Sequence, residues 1–345
     1  MALAGAACLA ACGSGGSSSG RAGVSLILKT LSNPYFVSME NDAKKEAAKD
    51  NVSLTVAAGQ SDGDTQTQIT AIDNAIARGD QGILITINGN AVNAELQKAR
   101  QAGLYIIALD TAPTPPSVAD ITYATDNEAA GKLIGQYTAA RLNGAKAVVA
   151  MLDLFNNQVV SVDTSRDHGF LEGLGIDPGS KTQNGQEAKS GNYTAGKGGA
   201  YTIACHQPTT GAIPGGKTAM ENCLSANGNI NVVYTINEPA ADGAIQALQA
   251  AGKTGVLVVT IDGSCQYINS LVKTGTVAAD SVQYPGKMAA LGVQTISSLA
   301  HGGKKPALPA GQDFINTGTA LTTGTPVAGV TSETPAQAGT ACWGS

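Results

Sequence analysis

Two short stretches match catalytic patterns, and one recurrence of polar residues points to recognition. "GAIPGGKT" (Gly211–Thr218) has the glycine, four free positions and Gly-Lys-Thr of a phosphate-cradling loop. "GQSDG" (Gly59–Gly63) has the G-x-S-x-G spacing of a hydrolase nucleophile elbow. The recurrence is of carboxylates and amides in the segments that follow apolar runs: Asn33, Asn88, Asp110, Asp153, Asn237, Asp262 and Gln283. Carboxylates accept paired hydrogen bonds, amides donate and accept, and Arg166 adds several donors. A polyol is the complement of such a set. Any one of these residues alone reads equally well as a helix cap or a turn.

The elements that must position them alternate along the chain. "VSLIL" (Val24–Leu28) reads as a buried strand, and Phe36, Met39, Ala43 and Ala47 then mark one helix face. "SLTVA", a helix bearing Ile69, Ile72 and Ile76 that ends at Arg78-Gly79, "GILIT", a helix over 91–101 and "YIIAL" follow. A second series has helices near 128–142, 164–173, 218–225 and 239–251. Its strands are "KAVVAML", "AYTIAC", "NVVYTI" and "VLVVTI", with an irregular glycine-rich stretch over 175–199. Strict alternation predicts parallel sheets with helices on both faces, here as two similar α/β lobes. In such sheets ligands sit beyond the carboxyl ends of the strands, where the polar residues recur.

Several motifs in this order resemble one family: "SNPYF" (Ser32–Phe36), "ALDTA" (Ala108–Ala112), "ATDN" (Ala124–Asn127), "SRDHGF" (Ser165–Phe170), "TINEPAADGA" (Thr235–Ala244), "VVTIDGS" (Val258–Ser264) and "SVQYPGKMAALG" (Ser281–Gly292). From about Val24 to at least Leu299 the chain is similar to the sugar-binding proteins of ABC importers of the ribose-binding type. The resemblance implies the type I periplasmic binding protein fold, two Rossmann-like lobes joined by a three-crossover hinge near Ala124, Gln283 and Pro306. It divides the chain into 24–124 plus 284–305 and 125–283 plus 306–345. It implies ligand-binding roles for Asn33, Tyr35, Phe36, Asp110, Arg166, Asn237, Asp262 and Gln283, with aromatics sandwiching the sugar ring. It implies a monosaccharide ligand and permease partners, with no catalytic residue, cofactor or metal. "INEPAADGA" and "TAMENCL" look most like the fructose-binding branch. Thr111 stands where ribose binders generally place an arginine, and Tyr193 or Tyr201 is the expected aromatic of the second lobe.

Against that background the catalytic patterns weaken. "HQPTT" separates the strand from the phosphate-loop match, and Pro214 interrupts it, so an ordinary outer helix is expected there. The serine pattern comes early in its sheet, and His168, His206 and His301 lie in segments with no base-like context. Asp62 or Asp64 is expected to cap the following helix. A glycosidase using Asp110 and Asp262 is the enzymatic rival, and a sugar sensor the regulatory one.

Composition sets the remaining bounds. The chain has 345 residues, 21 Lys and Arg against 26 Asp and Glu, a net charge of -5 and no basic run, which excludes a nucleic-acid surface. The first residues read "MALAGAACLAACGSGGSSSG", in which "LAAC" resembles a bacterial lipobox with lipidation at Cys12. Residues 1–23 are then a signal remnant and flexible tether, and the protein an extracytoplasmic, lipid-anchored monomer. Discounting Cys8 and Cys12 leaves Cys205, Cys223, Cys265 and Cys342, which have no zinc spacing and allow three pairings. Cys205 with Cys223 and Cys265 with Cys342 are favoured, the first flanking a short loop-helix segment and the second pinning a glycine-rich tail. Free buried thiols are the alternative.

Overall fold

A computed structural model describes residues 21–339 and 341–344, so the expected anchor at Cys12 lies outside the described residues. The first sheet is built from β1 (Gly23–Leu28), β2 (Ser53–Ala58), β3 (Gly82–Ile85), β4 (Tyr105–Leu109) and β5 (Ile121–Ala124). Helices α1 (Pro34–Lys49), α2 (Thr65–Arg78) and α3 (Asn93–Gln101) connect the first four strands. Local chemistry sets their ends. Asn33 accepts the Tyr35 amide at the start of α1 and Pro34 opens the helix, while α2 starts on Asp64 and stops at Gly79 in the left-handed conformation.

The second lobe begins with α4 (Asn127–Leu142), β6 (Ala147–Asp153) and α5 (Ser161–Leu174). It continues through β7 (Ser190–Tyr193), β8 (Gly199–Pro208), α6 (Ile213–Ala226), β9 (Val232–Thr235), α7 (Glu238–Ala250) and β10 (Leu257–Asp262). A single turn α8 (Cys265–Tyr267) and β11 (Ala279–Val282) follow. Then α9 (Pro285–Ala300) returns to pack on α1 and β4 of the first lobe. The tail supplies β12 (Ile315–Asn316), β13 (Ala320–Thr322) and the short α10 (Pro335–Ala338).

The sheet orders are β12-β5-β4-β3-β1-β2 and β13-β11-β10-β9-β6-β8-β7. Pairing is parallel except for the two edges of the second sheet, β13 on β11 and β7 on β8. The glycine-rich stretch over 175–199 is therefore not wholly irregular, since it contains β7. Nor does the third crossing fall at Pro306. Residues beyond it stay with the first sheet, because β12 covers the edge of β5, and the chain crosses between Asn316 and Ala320. Hydrogen bonds tie the crossings together: the Thr317 amide donates to the Ala124 carbonyl, and Thr319 Oγ1 donates to the Val282 carbonyl.

Helices α4 and α5 meet backbone to backbone. A methyl group at Gly131 would lie 2.2 Å from the Arg166 carbonyl oxygen, and one at Gly169 2.1 Å from that of Glu128. Only glycine permits this approach. It fixes α5, the helix that carries Arg166 and Asp167, against the rest of the lobe.

Cys205 is bonded to Cys223 and Cys265 to Cys342. The second bond holds the tail on the second lobe, where the Cys265 amide donates to the Trp343 carbonyl. The Trp343 side chain nevertheless packs into the apolar core of the first lobe, against Tyr35. Among the described residues no helix is long and apolar enough to cross a membrane.

Candidate functional site

The strand ends of both sheets converge on a small cavity of about 30 Å³. The first lobe lines it with Lys29, Asn33, Tyr35, Phe36, Asp62 and Asp110, the second with Leu154, Val162, Arg166, Ile236, Asn237 and Asp262. That volume has room for roughly two water molecules, so a sugar would need the lobes to part. A more open hollow of about 1050 Å³ beside Arg100, Tyr105 and Lys305 lies at the opposite, amino end of β4.

Arg166 is the centre of the polar set. Its Nε donates to Asn127 Oδ1 and its Nη1 to the Ile236 carbonyl, both at 2.8 Å. So held, the guanidinium faces Asp110 of the first lobe at 3.8 Å and Asp262 of the second at 3.9 Å. Asp110 takes the left-handed conformation at φ 64, which Asp tolerates better than most residues. Its Oδ1 accepts the Tyr35 hydroxyl at 3.1 Å and its Oδ2 the Thr111 hydroxyl at 2.8 Å. Burial, then the Asp110 charge, push the Tyr35 phenol well above its ordinary range, so it stays a donor.

Asp262 receives Gln283 Nε2 at 3.0 Å and the Glu238 amide at 3.3 Å. Burial pushes its carboxyl up to about 8, with Arg166 opposing and the neighbouring Asp280 reinforcing the shift. Asn237 caps α7 by accepting the Ala240 amide and donates to the Gly211 carbonyl. A second buried ion pair, Lys29 with Asp62 at 3.8 Å, sits at the mouth of α2.

Of the residues expected in the pocket, Asn33, Tyr35, Phe36, Asp110, Arg166, Asn237 and Asp262 come together around this cavity. Gln283 does not line it and reaches it through Asp262. Asn88 braces the loop over Gly59–Asp64, donating to the carbonyls of Lys29, Ser61 and Asp64. Asp153 turns away toward His206. The aromatic sandwich is replaced by Leu154, Val162 and Ile236 on the second lobe. Tyr193 and Tyr201 are core residues whose hydroxyls donate to the Ala145 and Ala188 carbonyls. Asp64 caps α2, whereas Asp62, equally placed in sequence as a cap, belongs to the cavity. Lys29 escaped the sequence reading because nothing in an apolar strand end marks a lysine that turns inward.

The phosphate-loop match also finds its structural explanation. The strand β8 runs on through His206 to Pro208, and α6 begins at Ile213, so Pro214 opens a helix instead of interrupting a loop. A methyl group at Gly216 would lie 2.2 Å from the Ala240 carbonyl oxygen, and one at Gly243 2.1 Å from that of Ile213. The glycines serve the contact of α6 with α7, and Lys217 is exposed.

Two α/β lobes, crossed three times by the chain and closing on a polar cavity lined from both sides, define a two-lobed ligand-capture protein. The chain belongs to the periplasmic binding protein family, whose domain matches residues 24–305. It is 29% identical over 285 residues to the ribose import binding protein RbsB of Escherichia coli K12, covering 82% of this chain and 86% of that protein. It is 26% identical over 299 residues to the D-allose-binding periplasmic protein of the same organism, covering 84% and 88%. An ABC transporter periplasmic solute binding protein from Actinobacillus succinogenes 130z, solved with bound D-allose, has a TM-score of 0.71 at 24% identity, covering 88% of this chain and 98% of that one. A solute binding protein from Agrobacterium vitis with bound alpha-D-tagatopyranose gives 0.74 at 20% identity, covering 94% and 100%. These likenesses establish the fold.

Proposed function

We propose that this protein captures a monosaccharide between its lobes outside the cytoplasm and presents the closed form to the permease of an ABC importer. The observation that carries the reading is Arg166, held rigidly between Asp110 and Asp262 from opposite lobes, each within 4 Å but not in direct hydrogen bonding. A sugar hydroxyl inserted beside them would donate to a carboxylate and accept from the guanidinium, and it would meet both lobes only when they are shut. Ligand would then shift the population toward the closed shape. Tyr35 and Phe36 offer their rings to C-H faces of the sugar, with Leu154, Val162 and Ile236 opposite.

Function here is recognition without chemistry. The guanidinium stands within 4 Å of both carboxylates, an arrangement suited to reading sugar hydroxyls. Fructose is the favoured sugar, on the likeness of 236–244 and 218–224 to fructose binders. Ribose or allose is the second reading, favoured by the likeness to the ribose and D-allose binding proteins of Escherichia coli. A lipid anchor at Cys12 and a monomeric state complete the proposal. Native mass spectrometry of protein purified without added sugar tests it: a co-purifying hexose or pentose supports the reading, and the added mass distinguishes the two sugar classes. Failure to bind fructose, ribose, allose, xylitol or glucose in calorimetry would contradict it.

A further inference from the structure

Behind the cleft wall of the second lobe lies a polar cluster that sugar recognition does not use. Asp153 ends β6, Asp163 and Asp167 lie on α5, His206 is on β8, and Glu187 comes from the loop before β7. His206 Nδ1 is 2.7 Å from Asp153 Oδ2 and 3.9 Å from Asp167 Oδ2, and its Nε2 is 3.1 Å from Glu187 Oε1. Asp163 is occupied, accepting the amides of Leu154 and Phe155. Asp167 is not. Its side chain is 0% exposed, yet neither carboxylate oxygen has a hydrogen-bond donor, and Asp153 Oδ1 is equally bare. Buried carboxylate oxygens without partners are rare in folded proteins and call for a counter-charge.

The donors fit a cation. One oxygen of each aspartate and His206 Nδ1 all lie within 4.8 Å of one another. Ligands at 2.0–2.1 Å from a tetrahedral centre stand roughly 3.3 Å apart, so the 2.7 Å pair would open and the 3.9 Å pair close by about 0.6 Å each. Glu187, on the far nitrogen of the same imidazole, has the place of the carboxylate that orients a metal-bound histidine, and Lys189 Nζ in turn donates to it at 2.8 Å. His206 keeps 17% of its side chain exposed, which gives an ion a way in.

We propose that Asp153, Asp167 and His206 form a binding site for one divalent transition-metal ion, Zn²⁺ or Mn²⁺, in the wall of the second lobe. Two carboxylates and one imidazole are borderline-hard donors suited to either ion. The ion would neutralise the buried acids and brace α5 at Asp167, the residue next to Arg166. On binding, His206 gives up its Nδ1 proton to solvent and keeps the Nε2 proton donated to Glu187. The bare oxygens have one rival account, a proton shared between Asp153 and Asp167.

The test uses the full chain, stripped with EDTA and titrated by calorimetry with ZnCl₂ and separately with MnCl₂, with melting temperatures in parallel. The expected result is uptake of one ion per chain with a rise in melting temperature. His206→Gln, Asp167→Asn and Glu187→Gln should each weaken uptake about tenfold or more. Absence of stoichiometric uptake of both ions by the wild-type protein overturns the site, whatever the variants do. So does undiminished uptake by the double variant Asp167→Asn/His206→Gln, which would put the ion elsewhere. A shared proton predicts that Asp167→Asn leaves the melting temperature level or higher while neither ion shifts the wild type.

Discussion

Arg166 Nη2 stands 3.8 Å from Asp110 Oδ1, and the two residues belong to opposite lobes. At that distance charge attraction draws the lobes together while hydrogen-bonding capacity remains on both groups for a ligand. The guanidinium cannot swing away, since Asn127 and the Ile236 carbonyl hold it in place. Arg166→Lys keeps the charge but loses that fork. We expect it to weaken sugar binding by about 1.5–3 kcal/mol, tenfold to over a hundredfold, in titration calorimetry. Arg166→Ala should also lower the melting temperature of the sugar-free protein, because it leaves buried Asp110 without this cation and removes the hydrogen bonds to Asn127 and the Ile236 carbonyl.

Asp262 gives the sugar-free protein a signed pH dependence. Its carboxyl is pushed from 3.8 up to about 8, chiefly by burial. Between those values the folded chain keeps a proton that the unfolded chain releases, so this group's contribution to stability falls as pH rises through the window. Urea midpoints should therefore decline from pH 5 to pH 8, and Asp262→Asn should flatten part of that decline. An identical slope in the variant would show that the carboxyl is not the titrating group.

The disulfides should separate by function. On loop-closure entropy, the bond across 18 residues contributes about 3 kcal/mol and the one across 77 residues about 4.5 kcal/mol. Only the second holds Trp343, whose Nε1 donates to the Asp262 carbonyl at 2.7 Å and whose ring meets Tyr35 edge-on at 5.6 Å. Cys342→Ser should lower both stability and sugar affinity, whereas Cys205→Ser should lower stability alone. As the chain's single tryptophan, Trp343 should also change its emission when sugar closes the lobes.

The phosphate-loop match makes an opposite pair of expectations. Lys217→Ala, at an exposed helix position, should change stability by less than about 0.5 kcal/mol and leave sugar affinity unchanged. Gly216→Ala should destabilise by about 1–3 kcal/mol, because the added methyl meets the backbone of α7. Thermal melts of the two variants check both.

The alternation of elements and the polar strand ends were legible because period and position survive in one dimension. Asp110, Arg166 and Asp262 could be read in that way. Lys29 and Asp62 could not, since an inward lysine at a strand end and an aspartate beside a helix cap carry no pattern of their own. The cluster of Asp153, Asp167 and His206 was hidden for another reason. Its members are scattered over β6, α5 and β8, and only the parallel pairing of β6 with β8 puts His206 beside Asp153. The path of the tail was missed because Pro306 looks like a boundary, while the pairing of β12 depends on an open edge of a distant strand.

The central claim is that Asp110 and Asp262 grip one sugar from opposite lobes. Titration calorimetry of wild type, Asp110→Ala, Asp262→Ala and the double variant, with the best-bound of fructose, ribose, allose, xylitol and glucose, tests it most directly. Each single variant should lose at least about tenfold in affinity, and the double variant less than the sum, because either loss already compromises closure. If both single variants bind that sugar as tightly as wild type, the cleft is not the sugar site.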